Sequence, residues 1–190
     1  MSDPAVFWEY FQRNASPLAA TFRKGVEERA FALIGRALHA SGFDVGFDLE
    51  LDHDGTCILV FSPEGDHEAG RRIDALIAAA PGLVPGWIVH ARKPRKGLSA
   101  ARSLIRRQYC IDPGEMRYTL ANAVGRPFVR MFIPPGTDLT DQERAGLVRL
   151  FLWNAVGESV VMDLDLQAEA VLADPPDSGT ISAAELVDRL

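Results

Sequence analysis

Residues 47–61 read FDLELDHDGTCILVF, and this stretch decides the fold class. Phe47, Leu49 and Leu51 alternate with Asp48 and Glu50, the period-two pattern of a strand with one buried face. CILVF at 57–61 is a second strand-like run, and Asp54-Gly55 before it is a dipeptide that closes tight hairpins because both residues accept positive φ. The stretch predicts an antiparallel hairpin. Downstream, Asp66 stands where an N-cap belongs, ahead of a helix over 67–80 with Ile73, Leu76, Ile77 and Ala80 on one face. WIVHA at 87–91 reads as a returning strand. Upstream, Phe22, Val26, Ala30, Ile34 and Leu38 recur every four residues, with Phe31 and Leu33 widening the stripe. One helix is therefore expected from Thr21 to Ser41, stopped by Gly42. A shorter helix over 5–13 puts Phe7, Trp8 and Phe11 at helical spacing.

The second half repeats the order. MRYTLA (116–121), a turn near Asn122 to Arg126, FVRMFI (128–133), a helix over 140–154 and a strand at SVVMDLDL (159–166) make a further β-β-α-β unit. Thr140 with Glu143 has the spacing of a capping box, as does Ser182 with Glu185 ahead of a tail helix at 182–190. SPEGD at 62–66 and PPGTD at 134–138 break the two halves at matching points. The expected organisation is a single α+β domain over 1–190, with 21–92 and 98–166 as a candidate pseudo-repeat and 174–190 as a C-terminal tail. Residues 98–110 fit either a basic helix or a strand. A helix there makes 87–166 read β-α-β-β-α-β, the order of the ferredoxin-like plait. The predicted class is α+β, an antiparallel-rich sheet with helices on one face.

The chain has 190 residues, 47% hydrophobic and 24% charged, close to the averages for soluble folded proteins, so neither an intrinsically disordered nor a membrane protein is the starting expectation. At this length it can bury a sizeable core without staples. Cys57 and Cys110 lack the spacing of a zinc or redox motif and are expected to be reduced core thiols. The first twenty residues carry Asp3, Glu9 and Arg13 without an apolar segment, and no apolar run reaches membrane-spanning length. A cytoplasmic protein without a membrane partner is expected.

Twenty Lys and Arg against 26 Asp and Glu give a net charge of −6, unfavourable for general nucleic-acid binding. The charge is unevenly spread. Arg92, Lys93, Arg95, Lys96, Arg102, Arg106 and Arg107 stand within sixteen acid-free positions. Clustered arginines suit phosphate or carboxylate groups, so this run is the candidate anion- or partner-binding segment. The alternative is a solvated face paired with the protein's own acids. No aromatic residue lies between Arg92 and Gln108 for bases to stack on, so nucleic acid is not the expected partner. Glu158 to Leu190 carries eight acids and only Arg189 as a base, a natural counterpart to the basic run.

Other constellations are weaker. Asp174, Ser178, Gly179, Ile181, Ser182 and Glu185 fall at EF-hand loop positions, but Pro176 occupies a ligand position, so calcium is not expected. His53 between Asp52 and Asp54, and His67 between Asp66 and Glu68, are candidate acid/base groups or metal ligands, but lack the spacing that sets two ligands on one helix face. Asp163 and Asp165 would share a strand face. No Gly-x-Gly-x-x-Gly, Walker loop or Gly-x-Ser-x-Gly occurs. No catalytic residue is assigned, and no metal or other cofactor is expected.

Phe7, Trp8, Tyr10 and Phe11 cover most of the first helix's circumference, more than one packed face needs. They read as a clamp over the sheet, with a partner interface as the alternative. The motif Phe7-Trp8-x-Tyr10-Phe11-x-x-Asn14, followed by an amphipathic helix, a hairpin and Trp87-Ile88-Val89, resembles an uncharacterised bacterial protein family. The resemblance spans about 90 residues and implies a bacterial cytoplasmic α+β protein. It transfers no functional residue. The expected function is a non-catalytic interaction or regulatory module with a local basic surface, binding a protein partner or itself. An enzyme acting on a small anionic substrate is the alternative, with RNA binding as a third reading.

Overall fold

The computed structural model describes residues 2–123 and 125–190. The chain divides into two compact units, Met1–Arg92 and Lys93–Leu190. The first contains helices α1 (Pro4–Arg23) and α2 (Glu27–Ala40), strands β1 (Gly46–Leu51) and β2 (Cys57–Ser62), helix α3 (His67–Ala78) and strand β3 (Trp87–His90). The second runs α4 (Leu98–Tyr109), β4 (Arg117–Ala123), β5 (Arg126–Ile133), α5 (Asp141–Ala155), α6 (Glu158–Asp163), β6 (Gln167–Leu172) and α7 (Ala183–Arg189).

Each unit holds a three-stranded mixed sheet, ordered β1-β2-β3 and β4-β5-β6. In both, a hairpin leads through a crossover helix to a strand parallel to the hairpin's second strand. The two β-β-α-β units are thus present with the same topology. The proline-containing breaks also correspond: Asp66 N–H donates to Pro63 O at 2.9 Å and Thr137 N–H to Pro134 O at 3.3 Å. Gly65 and Gly136 each have φ of 87°, the left-handed region where a side chain would be strained. The β-α-β-β-α-β run through 87–166 is distributed over the two sheets, with β3 in the first and β4 to β6 in the second.

One face of each sheet meets the helices. In the first unit Cys57, Leu59 and Phe61 of β2 join Phe47 and Leu49 of β1 and Trp87 of β3 in a core shared with α1, α2 and α3. Phe7, Trp8 and Phe11 are in it, at 0%, 3% and 0% exposure. The Trp8 indole N–H donates to Leu76 O at 2.7 Å and that of Trp87 to Ala15 O at 2.9 Å, so two large rings are buried without an orphaned donor. In the second unit Val129, Met131 and Ile133 of β5 pack with Ile105, Phe151, Leu152 and Leu186 from α4, α5 and α7.

Three local expectations are corrected. The single helix from Thr21 to Ser41 is two helices, because Gly25 has φ of 77° and closes α1 with its N–H on Phe22 O at 2.9 Å. The four-residue spacing ran on through Val26, which is 47% exposed and belongs to no packed stripe. The 5–13 helix extends to Arg23 through Pro17, because burial of Ala15, Leu18, Ala19 and Phe22 outweighs one lost backbone hydrogen bond. The strand read at 159–166 is α6 and a turn, with β6 following it. Val160 and Val161 favour a strand by propensity, but Leu166 N–H closes back on Val161 O at 2.9 Å, and six register pairs with β5 use Gln167 to Leu172 instead. Asp163 and Asp165 therefore share no strand face, and Asp165 has φ of 49°.

Residues 98–110 form α4, capped by Cys110 in the left-handed conformation. Cys57 is buried as expected, whereas Cys110 is exposed because this cap turns it outward. The capping boxes at Thr140 and Ser182 are both formed. The turn expected near Asn122 to Arg126 includes Val124, which lies outside the described residues; the flanking strands end at Ala123 and begin at Arg126.

Candidate functional site

The basic run begins at the end of β3. Arg92 extends its guanidinium to Asp74 at 3.0 Å and to Gly70 O at 3.3 Å, with a side chain only 16% exposed. Beyond it the loop is fastened by backbone contacts. Lys93 N–H donates to Glu158 Oε2 at 3.0 Å, while its carbonyl accepts from Glu158 N–H at 3.0 Å. The Lys93 ammonium lies 4.9 Å from the centre of the Trp153 ring. Lys96 and Gly97 both donate N–H to Asn154 O, at 2.8 and 3.0 Å. Gly157, with φ of 99°, lets the chain approach closely: a Cβ there would stand 3.3 Å from Arg95 N.

Helix α4 is anchored at Asp112, which the sequence reading missed. The Arg102 guanidinium grips the Asp112 carboxylate bidentately, Nε to Oδ1 at 2.9 Å and Nη2 to Oδ2 at 2.7 Å. Arg106 pairs with the same carboxylate, and Gly114 N–H donates to Oδ1 at 2.9 Å. Asp112 is nearly sequestered. The Arg102 hydrogen bonds hold its carboxyl well below the usual range, at about 2, against the opposing cost of burial. A Cβ on Gly114 would fall 2.3 Å from the Arg102 guanidinium carbon, so glycine is what admits the Arg102 fork. Tyr118 completes the anchor by donating its hydroxyl to Pro113 O at 2.7 Å while stacking on Phe151. The signal present in the sequence was Asp112-Pro113-Gly114, a turn carrying the first acid after the basic run.

The seven basic candidates thus separate by role. Arg92 and Arg102 hold the structure together, and Arg106, whose side chain is 57% exposed, shares Asp112. Lys93 and Lys96 are engaged through the loop contacts. Arg95 and Arg107 are exposed, and neither makes an ion pair among the described residues. They flank the two ends of α4, so at 1.5 Å per residue the backbone at Arg107 lies about 15 Å along the helix from Gly97.

Of the aromatic candidates, Phe7, Trp8 and Phe11 are core residues, and only Tyr10 is partly exposed. His90 ends β3, two residues before Arg92, and the two candidate histidines lie on other elements of the first unit. His53 is on the β1–β2 turn, its Nδ1 at 2.7 Å from Asp52 Oδ1, and His67 is exposed in the first turn of α3. Hydrogen bonding to Asp52 raises the His53 pKa. Substituting Asp52 by Asn is expected to lower it, read as a shift in the His53 ring-proton NMR titration; an unmoved midpoint would show that Asp52 does not hold the imidazolium. The EF-hand-like loop spends its last ligand position on structure, since the Glu185 carboxylate accepts from Ser182 N–H and Oγ.

Clefts lie within each unit. They are lined around Leu83 and Trp87, around Phe31 and Leu49, and around Tyr109 and Arg149. None of the three contains a histidine or an arginine of 92–107. No group of three or more metal-ligating side chains gathers among the described residues, and no helix there is long and apolar enough to cross a membrane. Fold and site together define a two-unit α+β protein with a basic helix fastened at both ends. Compared with known proteins, the chain matches no family model, no curated protein and no solved structure.

Proposed function

We propose that the protein is a non-catalytic interaction module that engages an acidic partner protein across the exposed side of α4. The observation that carries this reading is the placement of Arg95 and Arg107, exposed cations without an acid partner among the described residues. A small anion is held by guanidinium groups converging within hydrogen-bond reach. Two cations at opposite ends of α4, whose backbone runs about 15 Å from Gly97 to Arg107, suit an extended acidic surface instead. Arg102 and Arg106, the natural pair for a substrate clamp, already share Asp112, which argues against the enzyme reading.

The test is capture from the source lysate by the full chain and by an Arg95→Glu/Arg107→Glu variant, with and without nuclease. Both residues are exposed, so the variant is expected to melt with the native protein. The expected result is a protein retained in stoichiometric amount by the native form alone, nuclease present or not. Equal retention by both forms, or none by either, would sink the proposal. Loss of retention after nuclease would replace it with RNA binding, for which affinity falls steeply with salt.

A further inference from the structure

The first unit carries a second surface of opposite charge. Between α2 and β1 lies a cleft of about 400 Å³ lined by Phe22, Glu27, Glu28, Phe31, Asp48 and Leu49. Phe31 stacks on Phe47 with ring centroids 4.2 Å apart, yet remains 46% exposed. Leu51, two residues beyond Leu49 and so on the same strand face, is also 46% exposed. Helix α2 therefore leaves an apolar strip along β1 uncovered. All three charged residues lining the cleft are acids. Glu27 and Glu28 project from the first turn of α2, exposed and without an ion pair among the described residues. The strand side adds no cation, because the chain carries eight acids and no Lys or Arg between Arg36 and Arg71.

An open aromatic ring, an aliphatic strip and paired carboxylates are together what a Lys or Arg side chain with apolar neighbours satisfies. The cation lies on the ring, its alkyl stem covers the leucines, and the charge meets the carboxylates. We propose that this cleft docks a segment of a partner protein in which Arg or Lys alternates with apolar residues. Continuation of the apolar strip to Leu51 favours a segment over a single small cation. A second copy is a poor occupant: the cations that its basic segment leaves unpaired among the described residues, Arg95 and Arg107, stand in Arg-Lys-Gly and Arg-Arg-Gln contexts, the second inside helix α4, and neither alternates with apolar residues in an extended segment. This surface is independent of the exposed side of α4.

The test uses the full chain and a labelled heptapeptide of alternating arginine and valine, with a glutamate-valine peptide as control, read by fluorescence anisotropy. Saturable binding of the basic peptide alone is expected, weakened about tenfold by Phe31→Ala, the scale of a desolvated cation–aromatic contact. Glu27→Gln/Glu28→Gln should weaken it as well, while Arg95→Glu/Arg107→Glu leaves it intact. Because Glu27 and Glu28 are surface residues, the double variant stays informative if Phe31→Ala perturbs α2. Absence of saturable binding, equal binding of the acidic peptide, or binding insensitive to the Glu27/Glu28 variant would overturn the proposal. So would sedimentation showing a native dimer that Phe31→Ala splits, since a second copy would then occupy the cleft.

Discussion

Replacing Trp87 with alanine is expected to destabilise the first unit by about 3–5 kcal/mol, the range for truncating a large buried aromatic. Trp87 is 5% exposed and begins β3, where its indole spans from the sheet to α1. The ring centroid lies 5.1 Å from that of Phe11, which in turn joins Trp8 and Phe7 in one edge-to-face and stacked cluster. Alanine would leave a cavity between these rings and remove the indole donor that Ala15 O accepts in addition to its own helical hydrogen bond. A Trp87→Phe variant separates the two losses, because it retains a ring and removes only the donor. Urea denaturation, with hydrogen exchange of β2 and β3 to locate the effect, is the measurement. Near-native stability of Trp87→Ala would show that β3 is not held to α1 through this residue.

The second large effect is expected at Asp112. Removing its side chain leaves two arginines and the Gly114 N–H without their shared acceptor; the guanidinium groups, 39% and 57% exposed, pass to water, so the loss is that of hydrogen bonds to a charged group, about 2 kcal/mol. Asp112→Ala should therefore loosen both α4 and the 110–116 turn. The pH dependence has a definite sign. The folded-state pKa is about 2 against 3.8 for the free group, so the carboxylate's contribution is fully present above pH 4 and is lost as pH falls toward 2. The size of that shift corresponds to about 2 kcal/mol. Unfolding curves of native protein and Asp112→Asn should differ at pH 6 by roughly this amount and converge near pH 2. Parallel curves throughout that range would mean that Arg102 and Arg106 do not depend on the Asp112 charge.

These two residues also mark how far the site could be read without coordinates. The basic run was plain from composition alone, since seven cations in sixteen acid-free positions need no structure to be noticed. Its division into fastened and exposed members was not. Arg102 is separated from Asp112 by ten residues and a helix end, and Arg92 from Asp74 by eighteen, so neither pairing has a local spacing rule to announce it. The helical alternative for 98–110 was the correct one because Ala101 and Ile105 are needed in the second core, a demand set by β5 and α5. The aromatic surplus of α1 was visible as a pattern, but only the positions of Phe61, Leu76 and Trp87 turned Phe7, Trp8 and Phe11 into core residues.

By itself the sequence determined what short-range chemistry controls. The hairpin at Asp54-Gly55, the Asp66 cap and both capping boxes arise from interactions within a few residues, and all are present. Tertiary structure decided the elements whose local signals were balanced or misleading. Val160 and Val161 favour a strand, yet β5 finds its parallel partner in Gln167 to Leu172, and α6 forms where the strand was expected. Gly25 ends a helix inside an unbroken apolar spacing. At Gly25 the deciding signal was itself local, a glycine stop masked by the apolar spacing; at 158–172 register against β5, which periodicity does not encode, outweighed a local preference of at most about 1 kcal/mol per residue.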